Sequence, residues 1–261
     1  MLRALWTAAL GMQAQQQGVD NIANNLANAN TTGFKQAKIV FQDLLYQTVR
    51  APGEGDAGTS QPATLQMGHG ATAIATVRNF QQGGLTETQN PLDIAINGQG
   101  FLQITRPDGS VAYTRDGTFT LNSDGTIVTQ SGLRLEPEIT IPPDASRIDI
   151  SQDGVVMATI PGEVQPMELG QLELARFNNE NGLLSIGGNL YEQTNASGEP
   201  ILGTPGQDGL GGLIQGYLEN SNVQVVQEMV NLITAQRAYE LNTKVVTTAD
   251  QMLQQANQLK R

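Results

Sequence analysis

The 261-residue chain has no cysteine, a single tryptophan and a single histidine. The missing cysteines exclude disulfide bridges, thiolate metal sites and thiol nucleophiles, without assigning a compartment. His69, between two glycines in QMGHGA, reads as an exposed loop residue, so histidine triads and multi-histidine zinc sites are excluded too. Basic residues are scarce, 14 against 25 acidic ones, for a net charge of -11. With no basic stripe, neither nucleic acid nor an anionic membrane surface is expected as a partner. No apolar run reaches transmembrane length, so no direct membrane insertion is expected. The opening MLRALWTAALGMQA has the charged start of a leader in Arg3 and a small residue in Ala14. Thr7 and Gly11 interrupt its short apolar core, and Met12 is poorly suited to its place three before the cut. Export, if it occurs, is expected without cleavage.

Catalytic signatures are equally scarce. INGQGFLQ places glycines at 98 and 100 but Gln103 where a dinucleotide loop needs its third, and neither a GK[ST] phosphate loop nor a GxSxG elbow occurs. NSDGT and SQDGV lack the spaced acidic ligands and closing glutamate of a calcium loop. Glu136 and Glu138 are a carboxylate pair that the sequence does not distinguish from surface charge. The expectation is a protein that is not an enzyme, with no catalytic residues, no metal and no cofactor.

What the chain does have is two matching ends. Leu5, Met12, Val19 and Leu26 recur every seven residues, with Leu2, Ala9 and Ala23 beside them and Gln16 breaking the pattern, which is the spacing of a coiled-coil seam. Thr31, Thr32 and Gly33 then supply a stop, the glycine being free to adopt the left-handed conformation. From Val223 to Leu259 there is no proline or glycine. Val230, Thr234, Ala238, Leu241, Val245, Ala249, Met252 and Ala256 follow an eleven-residue period, close to the natural helix repeat. That predicts a nearly straight helix about 55 Å long. Each amphipathic end would be unstable alone, so the two are expected to bury each other's stripes.

Between them the pattern changes. Asp108-Gly109, Asp116-Gly117, Asp124-Gly125 and Asp153-Gly154 punctuate short alternating runs, and residues 111 to 135 read as strand, turn, strand, turn, strand. DIAING, GFLQIT, RIDIS, GVVMATI, QLELARF and LIQGYLE are further strand candidates. The expected fold class is α+β, with paired terminal helices and an inserted antiparallel β domain. Residues 1–33 plus 220–261 would form the helical domain, 34–69 a connector and 70–219 the β domain. Residues 46–69 are rich in Gly, Pro, Ala, Thr and Ser and lack periodicity; a stretch this long within a compact chain is either disordered or functional. The ends, 1–33 and 220–261, carry five basic residues against four acidic, so the acidity lies in the middle.

DNIANNLANANTTGF, residues 20 to 34, holds five asparagines, although Asn is a poor helix former. On a helical wheel Asn21, Asn24, Asn25 and Asn28 form one stripe opposite Val19, Ile22 and Leu26. Amides donate and accept, so such a stripe can pair with a copy of itself without like-charge repulsion. A local accident of composition or an ordinary helix end is the competing reading.

DNIANNLANANTTGFKQAKIVFQDLLYQ closely resembles the N-terminal signature of bacterial flagellar rod and hook proteins, with its ANNLAN core and TGFK turn. NSNVQVVQEMVNLITAQRAYELNTKVVTTADQMLQ resembles the matching C-terminal signature, and NPLDIAINGQGFLQI with AYTRDGTFTLNSDG resembles the shared middle domain. The resemblance covers nearly the whole chain. Length and the segment after residue 41 are most similar to the distal rod branch; proximal rod and hook branches are the alternatives, and a secreted β-rich adhesin or carbohydrate-active protein is a more distant one.

The resemblance implies a subunit of a hollow helical shaft that transmits torque and passes exported subunits. Its terminal helices, through Leu5, Met12, Val19, Leu26, Val230, Leu241, Val245 and Met252 with the asparagine stripe, would pack against neighbouring copies. Residues 46–69, including Tyr46, Arg50, Pro52, Thr64 and Leu65, would brace neighbours. Implied partners are proximal rod and hook proteins, the outer-membrane and peptidoglycan rings, and the flagellar type III export apparatus, with a location in the basal body. An export signal near VFQDLL, residues 40–45, is implied as well, although the residues alone read more simply as core.

Overall fold

The computed structural model describes residues 2–50, 64–162 and 165–259, without the side chains of Leu2, Arg50 and Leu259. It has an N-terminal helix, a C-terminal helix and a central antiparallel β region. The chain divides into two compact units, Met1–Ala27, Ala37–Val77 and Gln224–Arg261 forming one, Asn28–Gln36 and Arg78–Val223 the other.

The helical unit contains α1 (Leu2–Ala27), β1 (Ala37–Asp43), β2 (Tyr46–Arg50), β3 (Leu65–Gly68), β4 (Ala71–Arg78, the last residue counted with the other unit) and the 35-residue α2 (Val225–Leu259). α1 packs on α2, and close pairs join residue 25 to 228 and residue 11 to 242, so the two run antiparallel. β1 pairs with β4, and β2 pairs antiparallel with β3 from Tyr46↔Gly68 to Arg50↔Leu65.

α1 ends earlier than the expected stop at Thr31. Residues 28 to 33 form turns, held by a Thr31 N–H donating to the Asn28 carbonyl at 3.1 Å and the Thr31 hydroxyl donating to Asn28 Oδ1 at 3.1 Å. Asn28 thus holds Thr31 through both its carbonyl and its side chain just beyond the end of the helix. Gly33 does take the left-handed conformation, φ 68°, where a Cβ would strike the Arg115–Asp116 backbone.

The β unit contains β5 (Leu85–Glu87), β6 (Ile94–Asn97), β7 (Phe101–Thr105), β8 (Val111–Thr114), β9 (Phe119–Leu121), β10 (Ile127–Thr129), β11 (Arg134–Glu136), β12 (Arg147–Ile150), β13 (Val155–Thr159), β14 (Met167–Gln171), β15 (Leu174–Arg176), β16 (Leu184–Gly187), β17 (Leu190–Glu192), β18 (Ile201–Gly203), β19 (Gly212–Gln215) and β20 (Tyr217–Glu219). Its main sheet has the order β16-β17-β8-β7-β11-β10-β9, with β15 joining β7 and β18. β7 is the axis, and its alternation makes two cores. Leu102 and Ile104 join Ile94, Phe119, Leu135, Val156 and Leu174 in the larger one, while Phe101 joins Tyr113, Phe177 and Tyr191 in an aromatic cluster of edge-to-face pairs.

The Asp-Gly pairs at 108–109, 124–125 and 153–154 lie between strands paired with each other, the glycines at φ 80°, 76° and 84°. Asp116-Gly117 does not. β8 and β9 are separated by β7, β11 and β10, and the Gly117 carbonyl instead accepts from the Ile94 N–H at 3.1 Å, leaving no room for a Cβ. QLELARF and LIQGYLE each divide between two strands, the second at Gly216 with φ 75°.

Candidate functional site

Two features of the terminal helices bear on assembly. The first is where the asparagines point. Asn25, 1% exposed, donates from Nδ2 to the Ala37 carbonyl at 2.8 Å and to Glu228 Oε2 at 3.2 Å, and its Oδ1 accepts from the Ala37 N–H at 3.0 Å. Its amide thus pairs with Ala37 as a strand neighbour would, and ties the start of β1 to the first turn of α2. Asn21 donates to the same carbonyl at 2.7 Å. These two were expected to face another copy; the structure gives them partners within the chain, because a buried backbone group at the end of a strand must be satisfied. Asn28 leaves the stripe because it lies beyond the helix, and Asn24 is exposed.

The second feature is which face of α2 is covered. Apart from Asn231, the less exposed positions among the described residues are Glu228, Leu232, Ala235, Ala238, Asn242, Val246, Ala249 and Leu253, a continuous stripe at spacings of three and four. It is rotated from the expected one, sharing only Ala238 and Ala249. Gly11 of α1 faces Asn242 so closely that an added Cβ would lie 3.0 Å from Asn242 Nδ2. Small residues at the seam bring the helices together. Val230, Leu241, Val245 and Met252, expected to be buried, are 46–65% exposed, and Val226 is 77% exposed. α2 is apolar on more than one side, and its sequence allowed either stripe to be read as the inner one. On α1, Leu5, Met12, Val19 and Leu26 are half-buried, while Ala8 and Ala14 are buried.

Residues of the expected brace fall on a two-stranded ribbon. Tyr46 and Arg50 lie on β2, Leu65 on β3 and Thr64 just before it; Pro52 lies outside the described residues. Tyr46, Val49, Leu65 and Met67 are exposed. Val40, Phe41 and Leu45 of the VFQDLL segment are exposed too, Leu45 by 88%, so they are not core. Val40 and Phe41 lie on β1, half of a two-stranded sheet, and Leu45 lies between β1 and β2.

Sequence reasoning missed a buried charge cluster in the β unit. Lys35 of TGFK bonds Glu219 Oε1 at 2.6 Å and the Gln81 carbonyl at 2.9 Å. Arg115 of the TRDG run bonds Glu219 Oε2 at 3.4 Å and the Gly98 carbonyl at 2.8 Å, and its guanidinium lies 5.3 Å over the Phe101 ring. Glu219 also accepts from the Gly83 N–H at 2.8 Å. All three side chains are at least 97% buried. Burial pulls the Lys35 ammonium and the Arg115 guanidinium below their ordinary values, and the Glu219 carboxylate opposes this. The three come from sequence stretches 80 to 184 residues apart, so no local pattern could reveal them.

Next to this cluster, Asn222 donates from Nδ2 to the carbonyls of Asn79 and Gln81 at 2.7 and 3.0 Å, and its Oδ1 accepts from the Gln36 N–H at 2.7 Å. Asn79 N–H donates to the Gln36 carbonyl at 2.8 Å. Three separate passes of the chain are thereby fastened within the β unit. Among the described residues, no group of three or more His, Cys, Asp or Glu could hold a metal, and no helix is long and apolar enough to cross a membrane.

An asparagine-stapled pair of terminal helices with an apolar outer face, carrying an inserted β unit, defines a structural subunit. Three family models match the chain: the basal body rod protein model at residues 5–35, the flagellar hook protein FlgE/F/G D1 domain at 95–158, and the basal body rod FlgEFG C-terminal model at 214–259. A flagellar basal-body rod protein FlgG of Buchnera aphidicola (Schizaphis graminum) is 49% identical across 99% of this chain and 100% of that protein. In Caulobacter vibrioides, the FlgG protein is 49% identical over 99% of this chain and 100% of its own length, while FlgF is 35% identical over 98% and 97%. The chain belongs to the flagellar basal-body rod protein family, as a FlgG-like structural subunit of the rod.

Proposed function

We propose that the chain self-assembles as the distal segment of the flagellar rod, a stiff, hollow drive shaft that carries torque towards the hook and passes exported subunits. The observation that carries this reading is the outer face of α2. Val226, Met229, Val230, Ile233, Leu241, Val245 and Met252 stand exposed along one side of a helix about 53 Å long, and contiguous exposed apolar surface is a mark of an interaction site. Copies packing through this face, in coiled-coil fashion with Leu5, Met12, Val19 and Leu26 of α1, would bury it. Head-to-tail contacts that do not close generate an open helical filament. The FlgG members match more closely than the FlgF member of the same bacterium, which favours the distal reading over the proximal one.

Within that reading, 1–33 with 220–261 is the axial core, and the segment 46–69 braces adjacent copies. Proximal rod, hook and ring proteins are the expected neighbours at the basal body, which crosses periplasm and outer membrane, and the exposed Val40, Phe41 and Leu45 are available to the export apparatus. Electron microscopy of the concentrated protein beside a variant lacking residues 46–69 tests both points. Straight tubes that become curved, or fail to form, in the variant support the shaft and the brace. Discrete closed particles from both chains would refute the shaft.

A further inference from the structure

We infer that the cleft around Arg115 in the β unit receives an acidic side chain from a neighbouring copy of this chain. The cleft, about 430 Å³, is lined by Arg78, Phe80, Gln82, Gln99, Arg115 and Glu180 among others. Arg115 is 97% buried, and among the described residues its Nε finds no hydrogen-bond partner. Leaving a buried donor unsatisfied is unfavourable, and a ligand able to accept its proton would offset that cost.

The charges agree. Among the described residues, Lys35, Arg78 and Arg115 gather here against Glu219 and the half-buried Glu180, one cation in excess. Both guanidinium groups are held in place before any ligand arrives: Arg115 lies over the Phe101 ring, and Arg78 lies 5.8 and 5.7 Å from the Phe34 and Tyr191 ring centres with its Nη1 bonded to the Lys35 carbonyl at 3.1 Å. A fixed planar fork selects carboxylates over neutral groups. Glu180 already sits in the cleft and competes for the same cations; burial raises its pKa while Arg115 and Lys35 lower it.

A second copy is the source that the composition favours. Residues 28–36 and 78–223 carry 18 acidic side chains against 7 basic ones, so stacked copies bring carboxylates close to this cleft at high effective concentration. The inference rests on the self-assembly reading above, and the test separates the two.

Isolated basal bodies from cells whose rod is built of this chain, with p-benzoylphenylalanine replacing Gln99 at the exposed rim, would be irradiated. The expected product is a dimer of this chain, cross-linked at a peptide containing Asp or Glu. Arg78→Met should lower its yield several-fold and Glu180→Gln should raise it, with unfolding of both monomers checked to remain cooperative. Rods that assemble but give no such dimer, a dimer whose yield ignores both substitutions, or an adduct with a different protein would each overturn the inference while leaving the rod intact. Absence of rods even with the unmodified chain would overturn the assembly reading and this one together. If N-acetylglutamate shifts the Arg115 Nε–H resonance of the monomer while the cross-link stays indifferent to the substitutions, the ligand is a soluble carboxylate and the neighbouring copy is excluded.

Discussion

In the β unit, Phe101, Ile104, Val156, Leu172 and Leu174 are wholly buried, and even the charges of Lys35, Arg115 and Glu219 are enclosed and paired. In the helical unit many large apolar residues of α2 stand in solvent, while among the described residues the buried positions belong to alanines and to Asn25 and Glu228. Charge divides along the same line. Residues 28–36 and 78–223 carry 7 basic and 18 acidic side chains, whereas the rest of the chain carries 7 of each and so contributes nothing to the net charge. The β unit encloses its own apolar core; the helical unit leaves much of its apolar surface uncovered. A neutral, apolar, elongated element suits close packing among identical copies, where like charges would repel at each contact. An acidic unit with a complete core suits a surface that must stay soluble.

The most damaging test of that contrast is Glu219→Ala. Removing the carboxylate strands two cations in a dry site, and breaking such a buried pair costs about 3–5 kcal/mol. Chemical denaturation followed by near-ultraviolet signals of the β-unit tyrosines should show that loss. A cost below about 1 kcal/mol would mean that the cluster is solvated or that Lys35 is already neutral.

Asn25→Ala should come next, at about 1–3 kcal/mol, since it leaves the Ala37 N–H and carbonyl and the Glu228 carboxylate with fewer partners in a buried place. Hydrogen exchange at Ala37 and in the first turn of α2 should speed up, with the β-unit core unaffected. If exchange instead accelerates throughout the β unit, the asparagine's work is not local to the helices. Leu241→Gln sharpens the comparison from the other side: exposed in the single chain, it should alter monomer stability by less than about 0.5 kcal/mol yet sharply reduce tube formation. Tubes formed at the normal concentration would remove that face of α2 from the assembly contact.

How much of this was legible beforehand followed the range of the interactions. Hairpins at Asp108-Gly109 and Asp124-Gly125 are local, written in two residues, and could be read directly. Asp116-Gly117 carries the same two letters, but its carbonyl answers to Ile94, 23 positions away, and the pattern misleads. α2 was legible as a helix, not in its orientation, because apolar residues on several sides leave the inner stripe to be selected by Gly11 and the other small residues of α1. The asparagines were visible as unusual; what they bind, a strand end at Ala37 and a carboxylate at Glu228, needed the fold. Lys35, Arg115 and Glu219 offered no local signal.

The smallest expected effect concerns Glu180, whose carboxyl is pushed above its ordinary pKa chiefly by burial, against the pull of Arg115 and Lys35. A carboxyl with a raised folded-state pKa binds more protons when folded than when unfolded, in the interval between the ordinary value of 4.5 and the raised one. Stability contributed by this group is therefore present below that interval and declines as pH rises through it. The direction is opposite to that of a carboxylate whose pKa is depressed by a salt bridge. Glu180→Gln should remove the decline, so that the unfolding midpoints of variant and parent diverge as pH rises above 4.5, the variant being the more stable. Because Glu180 is only half-buried, solvent screens it and the gap should stay below about 1 kcal/mol. Parallel curves would show that Glu180 is no more costly to ionise than an exposed carboxyl, and that the β unit tolerates it without help from Arg115.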